Sequence, residues 1–243
     1  MAQPIITTKN IFSAYNETNV LNDISIDIYE NEITVILGES GCGKTTLLKN
    51  LIGLMHPSAG TIEVLGREIM MLDEDEYNEL MRRVGVLFQG GALLNSIPIS
   101  QNVAIPLEQH TDLPEHLIDH IVRLKLSLVG LAHAYDYLPS HLSGGMRKRA
   151  ALARAIALDP AVLFADEPTA GLDPVTAVAL DNLLLSLREQ LGMTLVIVTH
   201  ELSSIRRVAD KIIYLHDGKV LFTGKLDEAL QSDIPEVKNF FSV

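Results

Sequence analysis

The nine residues from position 38 to position 46 have the types and the spacing needed to bind a chain of phosphates: Gly38, Glu39, Ser40, Gly41, Cys42, Gly43, Lys44, Thr45 and Thr46. They match the pattern G-x-x-x-x-G-K-[ST] of a P-loop. Glycines let backbone N–H groups turn inward around phosphate oxygens, and a helix that follows adds the positive end of its dipole. In this pattern the Lys44 ammonium reaches the β- and γ-phosphates and the Thr45 hydroxyl is a Mg²⁺ ligand.

A strand and a helix are predicted on either side of this loop. Residues 34–37, Thr-Val-Ile-Leu, form a short apolar run that is typical of a buried strand. Residues 47–52 have the spacing of a helix. A strand, a glycine-rich loop and a helix in this order are the context in which the pattern is informative. A glycine-rich turn with a chance lysine would explain the residue types, but it would not explain why a strand precedes them and a helix follows.

Two carboxylates follow another apolar run, residues 161–165, and are the second group of candidates: Asp166 and Glu167. Ligands of open α/β sheets bind at the carboxyl ends of the strands, so we expect these side chains beside the phosphate-binding loop. Asp166 is predicted to hold Mg²⁺, directly or through water, and Glu167 to polarise an attacking water. Neighbouring residues of a strand point to opposite faces, which allows one role each. The plainer alternative is a helix cap or a solvated strand end.

Three single residues are weaker candidates when each is taken alone. Gln89 follows an apolar run and could ligate Mg²⁺, orient water or be a surface amide. His200 follows another such run and could donate to a γ-phosphate or be structural. Tyr15 borders a turn-like polar run and could stack on a nucleotide base, although core packing or a simple surface position would explain it as well.

The remaining patterns predict an α/β fold. Two stretches between residues 5 and 35 alternate apolar and polar residues, which indicates half-buried antiparallel strands. Short apolar runs predict further strands at residues 61–65, 84–88 and 195–198. The sequence His216-Asp217-Gly218 lies between two such runs and predicts a hairpin.

Residues 90–158 lack strand patterns and are interpreted as a helical insertion. Ser100 is a candidate cap for a short helix, and an alanine-rich helix follows Ser143-Gly144-Gly145. After Pro114, four apolar residues share one face of an amphipathic helix: Leu117, Ile121, Leu124 and Leu128. We therefore divide the single domain 1–243 into a nucleotide-binding core with a β subdomain, residues 1–89 and 159–243, and a helical subdomain, residues 90–158.

Composition narrows the classes of protein. The formal net charge of −12 argues against a general nucleic-acid-binding protein, which needs a basic field. The cluster Arg147-Lys148-Arg149 is interpreted as a solvated helix face. The single cysteine, Cys42, excludes an intramolecular disulfide. No apolar stretch is long enough for a membrane span and the first residues lack a signal-peptide pattern, so we expect a cytoplasmic protein that reaches a membrane through partners.

Taken together, the motifs resemble those of the nucleotide-binding subunit of ATP-binding cassette (ABC) transporters over nearly the whole chain. The corresponding family motifs are Walker A at residues 38–46, the Q-loop at Gln89, the signature at residues 142–146, Walker B at Asp166 and Glu167, the D-loop at residues 171–173, the switch histidine at His200 and the adenine-stacking aromatic at Tyr15. The resemblance implies a RecA-like P-loop NTPase core with an antiparallel β subdomain and a helical subdomain that bears the signature.

The same resemblance implies an ATPase that uses ATP and Mg²⁺ and whose site is only half built in one chain. The P-loop of one copy would face Ser143, Gly144 and Gly145 of a second copy, with ATP between them. Glu167, His200 and Gln89 would carry the catalytic roles, and Thr45, Gln89 and Asp166 would be the metal ligands.

Three stretches, residues 87–94, 102–107 and 142–157, are similar to the ATPase of Mla/Mce-type phospholipid transporters. This similarity implies phospholipid transport across the Gram-negative envelope, which maintains the lipid asymmetry of the outer membrane. The implied partners are integral-membrane permease subunits at the inner membrane, with a Mce-type substrate-binding protein and a small regulatory subunit as further candidates. The loop around Leu93, Leu94 and Asn95 is a candidate permease contact, or else ordinary core.

Other classes share the same catalytic parts. An importer of amino acids or other small solutes would differ only in the subfamily stretches, and a soluble cassette ATPase of cluster assembly would lack a permease. A DNA-repair or chromosome-organising ATPase usually has long coiled coils or zinc modules between Walker A and the signature. Here the segment between Lys44 and Ser143 has neither sustained heptads nor cysteine clusters, and the chain is acidic.

Overall fold

The computed structural model describes residues 3–15 and 18–242; the side chain of Tyr15 lies outside the described part. The strands are β1 (Pro4–Tyr15), β2 (Thr18–Tyr29), β3 (Ile33–Gly38), β4 (Ala59–Val64), β5 (Arg67–Glu68), β6 (Val84–Leu87), β7 (Val162–Asp166), β8 (Thr194–Val198), β9 (Lys211–His216) and β10 (Lys219–Lys225). The α-helices are α1 (Lys44–Leu51), α2 (Glu74–Met81), α3 (Ile99–His110), α4 (Glu115–Leu128), α5 (Gly144–Ala155), α6 (Pro174–Leu191), α7 (Leu202–Val208), α8 (Leu226–Leu230) and α9 (Pro235–Phe241). They form two compact units, residues 1–80 with 194–243, and residues 81–193.

An antiparallel sheet with the strand order β2-β1-β4-β5 forms part of the first unit. The predicted alternation is confirmed in β2, where Ile24, Ile26 and Ile28 are buried and the residues between them are exposed. One face of this sheet is therefore packed and the other is solvated, as expected for antiparallel strands.

A second group of strands in the first unit has the order β10-β9-β3-β8. β3 pairs in parallel with β8 on one side and with β9 on the other. β9 and β10 form the predicted hairpin, with Asp217 and Gly218 both at positive φ in its turn. Every residue of β3 and β8 is buried, which explains why these strands are continuous apolar runs rather than alternating ones.

The second unit contains the parallel pair β6–β7 and the helices α3 to α6. Residues 90–158 contain α3, α4 and α5 and no strand, so the helical character predicted for this segment is correct. Within the described residues, no helix is both long and apolar enough to cross a bilayer.

Ser100 is not the cap of α3. The helix begins at Ile99, and Pro98 is its N-cap residue, so Ser100 lies in the first turn and is buried. Its amide donates to the carbonyl of Tyr135 at 3.2 Å. Pro98 has neither an N–H nor a side-chain oxygen, so α3 begins without a side-chain cap.

The packed face of α4 was also predicted wrongly. The buried residues are Ile118, Val122 and Leu126, together with Lys125, whereas Leu124 is 57% exposed. Leu117 and Leu124 were expected on the packed stripe, and both belong to the exposed one. The buried stripe can include the charged Lys125 because its ammonium is paired with the carboxylate of Asp159.

Candidate functional site

The phosphate-binding loop begins where β3 passes close to β9. Gly38 pairs with Leu215 and has φ +150°, and a Cβ on Gly38 would lie 2.1 Å from the Leu215 carbonyl oxygen. Any side chain would therefore collide with the backbone of the neighbouring strand. Glycine at this position is required by the packing of the two strands, before any ligand is considered.

The loop ends at the first turn of α1. Gly43 is the N-cap residue, with φ +105°, and a Cβ there would lie 2.7 Å from Leu21 Cδ2. Gly43 has no side chain to cap the first amides of the helix, which can then donate to an anion. A Cβ on Gly41 would meet nothing within 4 Å, so the middle of the loop faces open space. Thr45 is exposed and Thr46 is buried.

Two side chains support the shape of the loop from within. The Lys44 ammonium donates to the carbonyl oxygens of Gly38 and Glu39, each at 2.8 Å. Cys42 is buried, and this burial raises the pKa of its thiol against the opposing effect of Lys44. A packed, protonated thiol agrees with a structural role for Cys42 rather than a nucleophilic one.

His200 lies at the same edge of the sheet as the phosphate-binding loop. β3 and β8 are parallel, with Ile36 opposite Val198, and the amide of Thr199 donates to the Ile36 carbonyl at 3.3 Å. The loop follows β3 and His200 follows β8, so the parallel pairing brings both to one edge, as the sequence predicts. The His200 side chain is 59% exposed, with Nε2 4.0 Å from the carboxylate of Glu201.

In the second unit, the parallel pair β6–β7 brings Gln89 and the two carboxylates to one edge. Leu87 is opposite Ala165, and Gln89, Asp166 and Glu167 follow directly along their strands. Gln89 is exposed, whereas both acidic residues are buried at 8–9% exposure.

Glu167 lies beyond the end of β7 and has φ +46°, a left-handed conformation that is uncommon outside glycine. Strand alternation therefore does not govern the direction of its side chain, contrary to the sequence-based argument. A strained backbone at a buried carboxylate is a feature found at functional sites.

Lys148 is a residue that the sequence analysis misjudged. It was expected on a solvated face of α5, but it is only 8% exposed. Its ammonium donates to the backbone carbonyl oxygens of Gln89 and, at 3.0 Å, of Glu167. Burial lowers the pKa of Lys148, and the nearby carboxylates of Asp166 and Glu167 oppose that effect. Helical spacing carries the signal, because Lys148 is three residues after buried Gly145 and four before buried Leu152.

The signature residues form the start of α5. The Ser143 hydroxyl accepts a hydrogen bond from the Met146 amide at 3.2 Å and caps the helix. A Cβ on Gly145 would lie 2.4 Å from Thr176 Cγ2, whereas one on Gly144 would lie 3.6 Å from Leu172. Gly145 is thus packed against α6, and Ser143 and Gly144 are exposed at the helix N-terminus.

Each unit thus supplies a distinct set of groups. The first has the amides at the start of α1, the Lys44 ammonium, the exposed Thr45 and a loop that faces open space at Gly41, which are groups that suit the phosphates of a nucleotide. The second has the Asp166 carboxylate and the Gln89 amide, and hydroxyl, amide and carboxylate oxygens are the ligands that Mg²⁺ takes. These features define a P-loop nucleotide-binding protein.

Comparison with known proteins identifies the family. A family model described as ABC transporter matches residues 21–170, so the chain belongs to the ABC transporter family. The chain is therefore an ABC ATPase, with the fold of the P-loop NTPases.

Individual relatives extend this similarity over the whole chain. The ATP-binding protein MlaF of the intermembrane phospholipid transport system of Haemophilus influenzae is 41% identical over 99% of this chain and 91% of its own length. The probable ribonucleotide transport ATP-binding protein mkl of Mycobacterium leprae is 40% identical over 98% of this chain and 68% of its own length. A dimeric, post-hydrolysis structure of the ATP-binding cassette MJ0796 with ADP and Pi has a TM-score of 0.83 and 31% identity, covering 91% of this chain and 98% of that one.

Proposed function

We propose that this chain is the ATPase subunit of a transporter that moves phospholipids across the Gram-negative envelope and so maintains outer-membrane lipid asymmetry. The observation that carries the proposal is the end-to-end similarity to MlaF, which spans nearly all of both chains. Position at the cytoplasmic face of the inner membrane, through permease subunits, follows from this function. A Mce-type substrate-binding protein and a small regulatory subunit complete the proposed assembly.

In the proposed mechanism, ATP is bound between two copies of the chain. The P-loop of one copy holds the phosphates, while Ser143, Gly144 and Gly145 of the other contact the γ-phosphate through the N-terminus of α5. The exposure of Ser143 and Gly144 and the dimeric form of the MJ0796 cassette support this arrangement. Tyr15 is proposed to stack on the adenine.

The hydrolytic step is assigned to Glu167. Its carboxylate orients a water molecule and accepts a proton as the water oxygen attacks the γ-phosphorus, and the bond to the β–γ bridging oxygen breaks to give ADP and phosphate. His200 donates to the γ-phosphate. Thr45, Asp166 and Gln89 would hold Mg²⁺, which when bound neutralises phosphate charge. Loss of the γ-phosphate then favours separation of the two copies.

A groove in the second unit is proposed as the permease contact. It encloses about 290 Å³ and is lined by Phe88, which follows β6, and by residues of β6, α3 and α5, including Ile105 and Arg154. Nearby in sequence, the Leu94 side chain is 51% exposed, while its backbone N–H and C=O are both bonded to the Asn102 amide group. The exposure of Leu94 argues against ordinary core packing and leaves its side chain accessible for the proposed partner contact.

The test is affinity purification of the chain from its native membranes in mild detergent, with mass spectrometry of the bound proteins and lipids. Recovery of a multispanning permease, a Mce-type protein and phospholipid is the expected result. A small-solute permease in their place would overturn the lipid cargo, and a soluble partner alone would overturn the transporter.

Leu94→Asp tests the part of the contact that is assigned to Leu94. We expect it to reduce permease recovery by about tenfold, because it replaces an apolar side chain proposed to pack against the permease with a charged one. Leu230→Asp is the matched control, because Leu230 is 43% exposed and lies in the other unit. Equal recovery with both variants would contradict the assignment of the contact.

A small-solute transporter is the second candidate. The observation that favours it is the similarity to mkl, a probable ribonucleotide transport ATP-binding protein, at nearly the same identity. The same purification separates the two functions, because the ATPase chemistry is common to both and only the permease and cargo differ.

A further inference from the structure

Lys148 connects two segments that are far apart along the chain. It lies on α5, and its ammonium donates to the carbonyl oxygen of Gln89 after β6 and to that of Glu167 after β7. The same Glu167 carbonyl accepts the amide of Ala170 at 3.2 Å. One buried cation therefore holds the backbones of a proposed metal ligand and of the proposed base.

A lysine is an unfavourable choice for a purely structural position on this helix. Lys148 is only 8% exposed, and a buried ammonium is stable only where acceptors surround it. The other buried positions of α5 are occupied by glycine, alanine and leucine, whose side chains need no partner. Lysine fits at position 148 because two carbonyl oxygens converge there and two carboxylates, Asp166 and Glu167, lie within electrostatic reach.

We propose that Lys148 is a positioning residue for ATP hydrolysis, which fixes the backbone of Glu167 relative to that of Gln89 through the signature helix. The proposal rests on the catalytic roles proposed above for these two residues. Lys148 makes no described bond to the P-loop or to α1, the helix that follows it. The loss of Lys148 should therefore slow the chemical step without weakening the binding of ATP.

Arg154 provides an internal comparison on the same helix. It donates to the carbonyl oxygens of Gly91 and Ala92 at 2.8 and 2.7 Å. Both cations thus hold the segment after β6, but in the described bonds only Lys148 reaches Glu167. The two effects can therefore be separated, because removal of Arg154 should loosen residues 91–92 and leave the segment around Glu167 unchanged.

The first measurement is amide hydrogen exchange of the full chain without nucleotide. Lys148→Met is expected to speed exchange by about tenfold in the segments 86–93 and 163–172, because both lose a bonded partner. Arg154→Met should affect only the first segment. No change at residues 163–172 in Lys148→Met, or the same change in Arg154→Met, would overturn the proposal. Lys148→Ala, which also removes the N–H donor, replaces Lys148→Met if that variant does not fold.

The second measurement is steady-state ATP hydrolysis together with nucleotide titration. Lys148→Met is expected to lower kcat by about tenfold or more while Kd for ATP changes by less than about twofold. Lys219→Met is the matched control, since Lys219 is exposed on β10. A wild-type kcat, or a parallel loss of kcat and ATP affinity, would overturn the proposal.

Failure of the proposed base is distinguishable from failure of this inference. If Glu167→Gln hydrolysed ATP at the wild-type rate, the assignment of Glu167 as the base would be wrong. The amide hydrogen exchange of Lys148→Met does not depend on catalysis and would still test the positioning role.

Discussion

The glycine at position 145 provides a stability test of the packing behind the signature. In Gly145→Ala, the new Cβ would lie 2.4 Å from Thr176 Cγ2, well inside ordinary van der Waals contact. Gly145 is buried and Thr176 belongs to the first turn of α6, so the overlap must be relieved by moving one helix end or the threonine. Overpacking of this kind costs about 1–3 kcal/mol in the free energy of unfolding.

Gly144→Ala is the matched control because it makes the same change one residue earlier. Its Cβ would lie 3.6 Å from Leu172 Cδ2, which is an ordinary contact. Both variants gain the intrinsic preference of helices for alanine over glycine, about 1 kcal/mol in a helix interior. The difference in stability between the two variants therefore isolates the overlap with Thr176.

Thermal unfolding followed by circular dichroism measures this difference. For a chain of this size 1 kcal/mol corresponds to about 2–4 °C in Tm, so Gly145→Ala should melt roughly 2–12 °C below Gly144→Ala. Thr176→Ser removes Cγ2, and the double variant Gly145→Ala with Thr176→Ser should recover most of the loss. Equal Tm values for the two alanine variants, or no recovery in the double variant, would refute the packing argument.

Two further predictions concern the proposed ATP chemistry. Glu167→Gln should still bind ATP but lose turnover and accumulate as a dimer in size-exclusion chromatography with ATP, because the amide cannot accept the proton of the attacking water; unchanged steady-state hydrolysis would contradict the base assignment. Lys44→Ala should weaken ATP binding by about ten- to a hundredfold, the equivalent of a hydrogen bond to a charged group. Undiminished binding in a nucleotide titration of Lys44→Ala would contradict the role of the ammonium.

The local parts of the site could be predicted because their patterns leave little freedom. The sequence from Gly38 to Thr45 fixes a turn and a helix start within a few residues, and the apolar run before it predicts a buried strand. Asp173 and Pro174 act equally locally: the Asp173 side chain accepts hydrogen bonds from the amides of Val175 and Thr176 at the start of α6. In these segments the residue types determine the backbone without help from distant contacts.

The errors occurred where distant residues decide the outcome. Helix α4 has apolar residues on two sides, so a period of 3.6 does not tell which stripe is packed. The stripe that is packed includes Lys125, a charged residue that argues against burial when only the sequence is considered. Its burial depends on Asp159, which lies far along the chain. Lys148 was misjudged for the same reason, because its acceptors at Gln89 and Glu167 follow β6 and β7, which are far from α5 along the chain.

The close approach of β3 and β9 has a consequence for how sequence variation in this protein should be interpreted. Gly38 is excluded from carrying a side chain by the carbonyl oxygen of Leu215, at a distance that no rotamer can relieve. Purifying selection would therefore keep this glycine even in a descendant protein that no longer bound nucleotide. Invariance at position 38 cannot serve as a marker of retained ATPase activity among duplicated genes, whereas substitution at Lys44 or Glu167 would be informative.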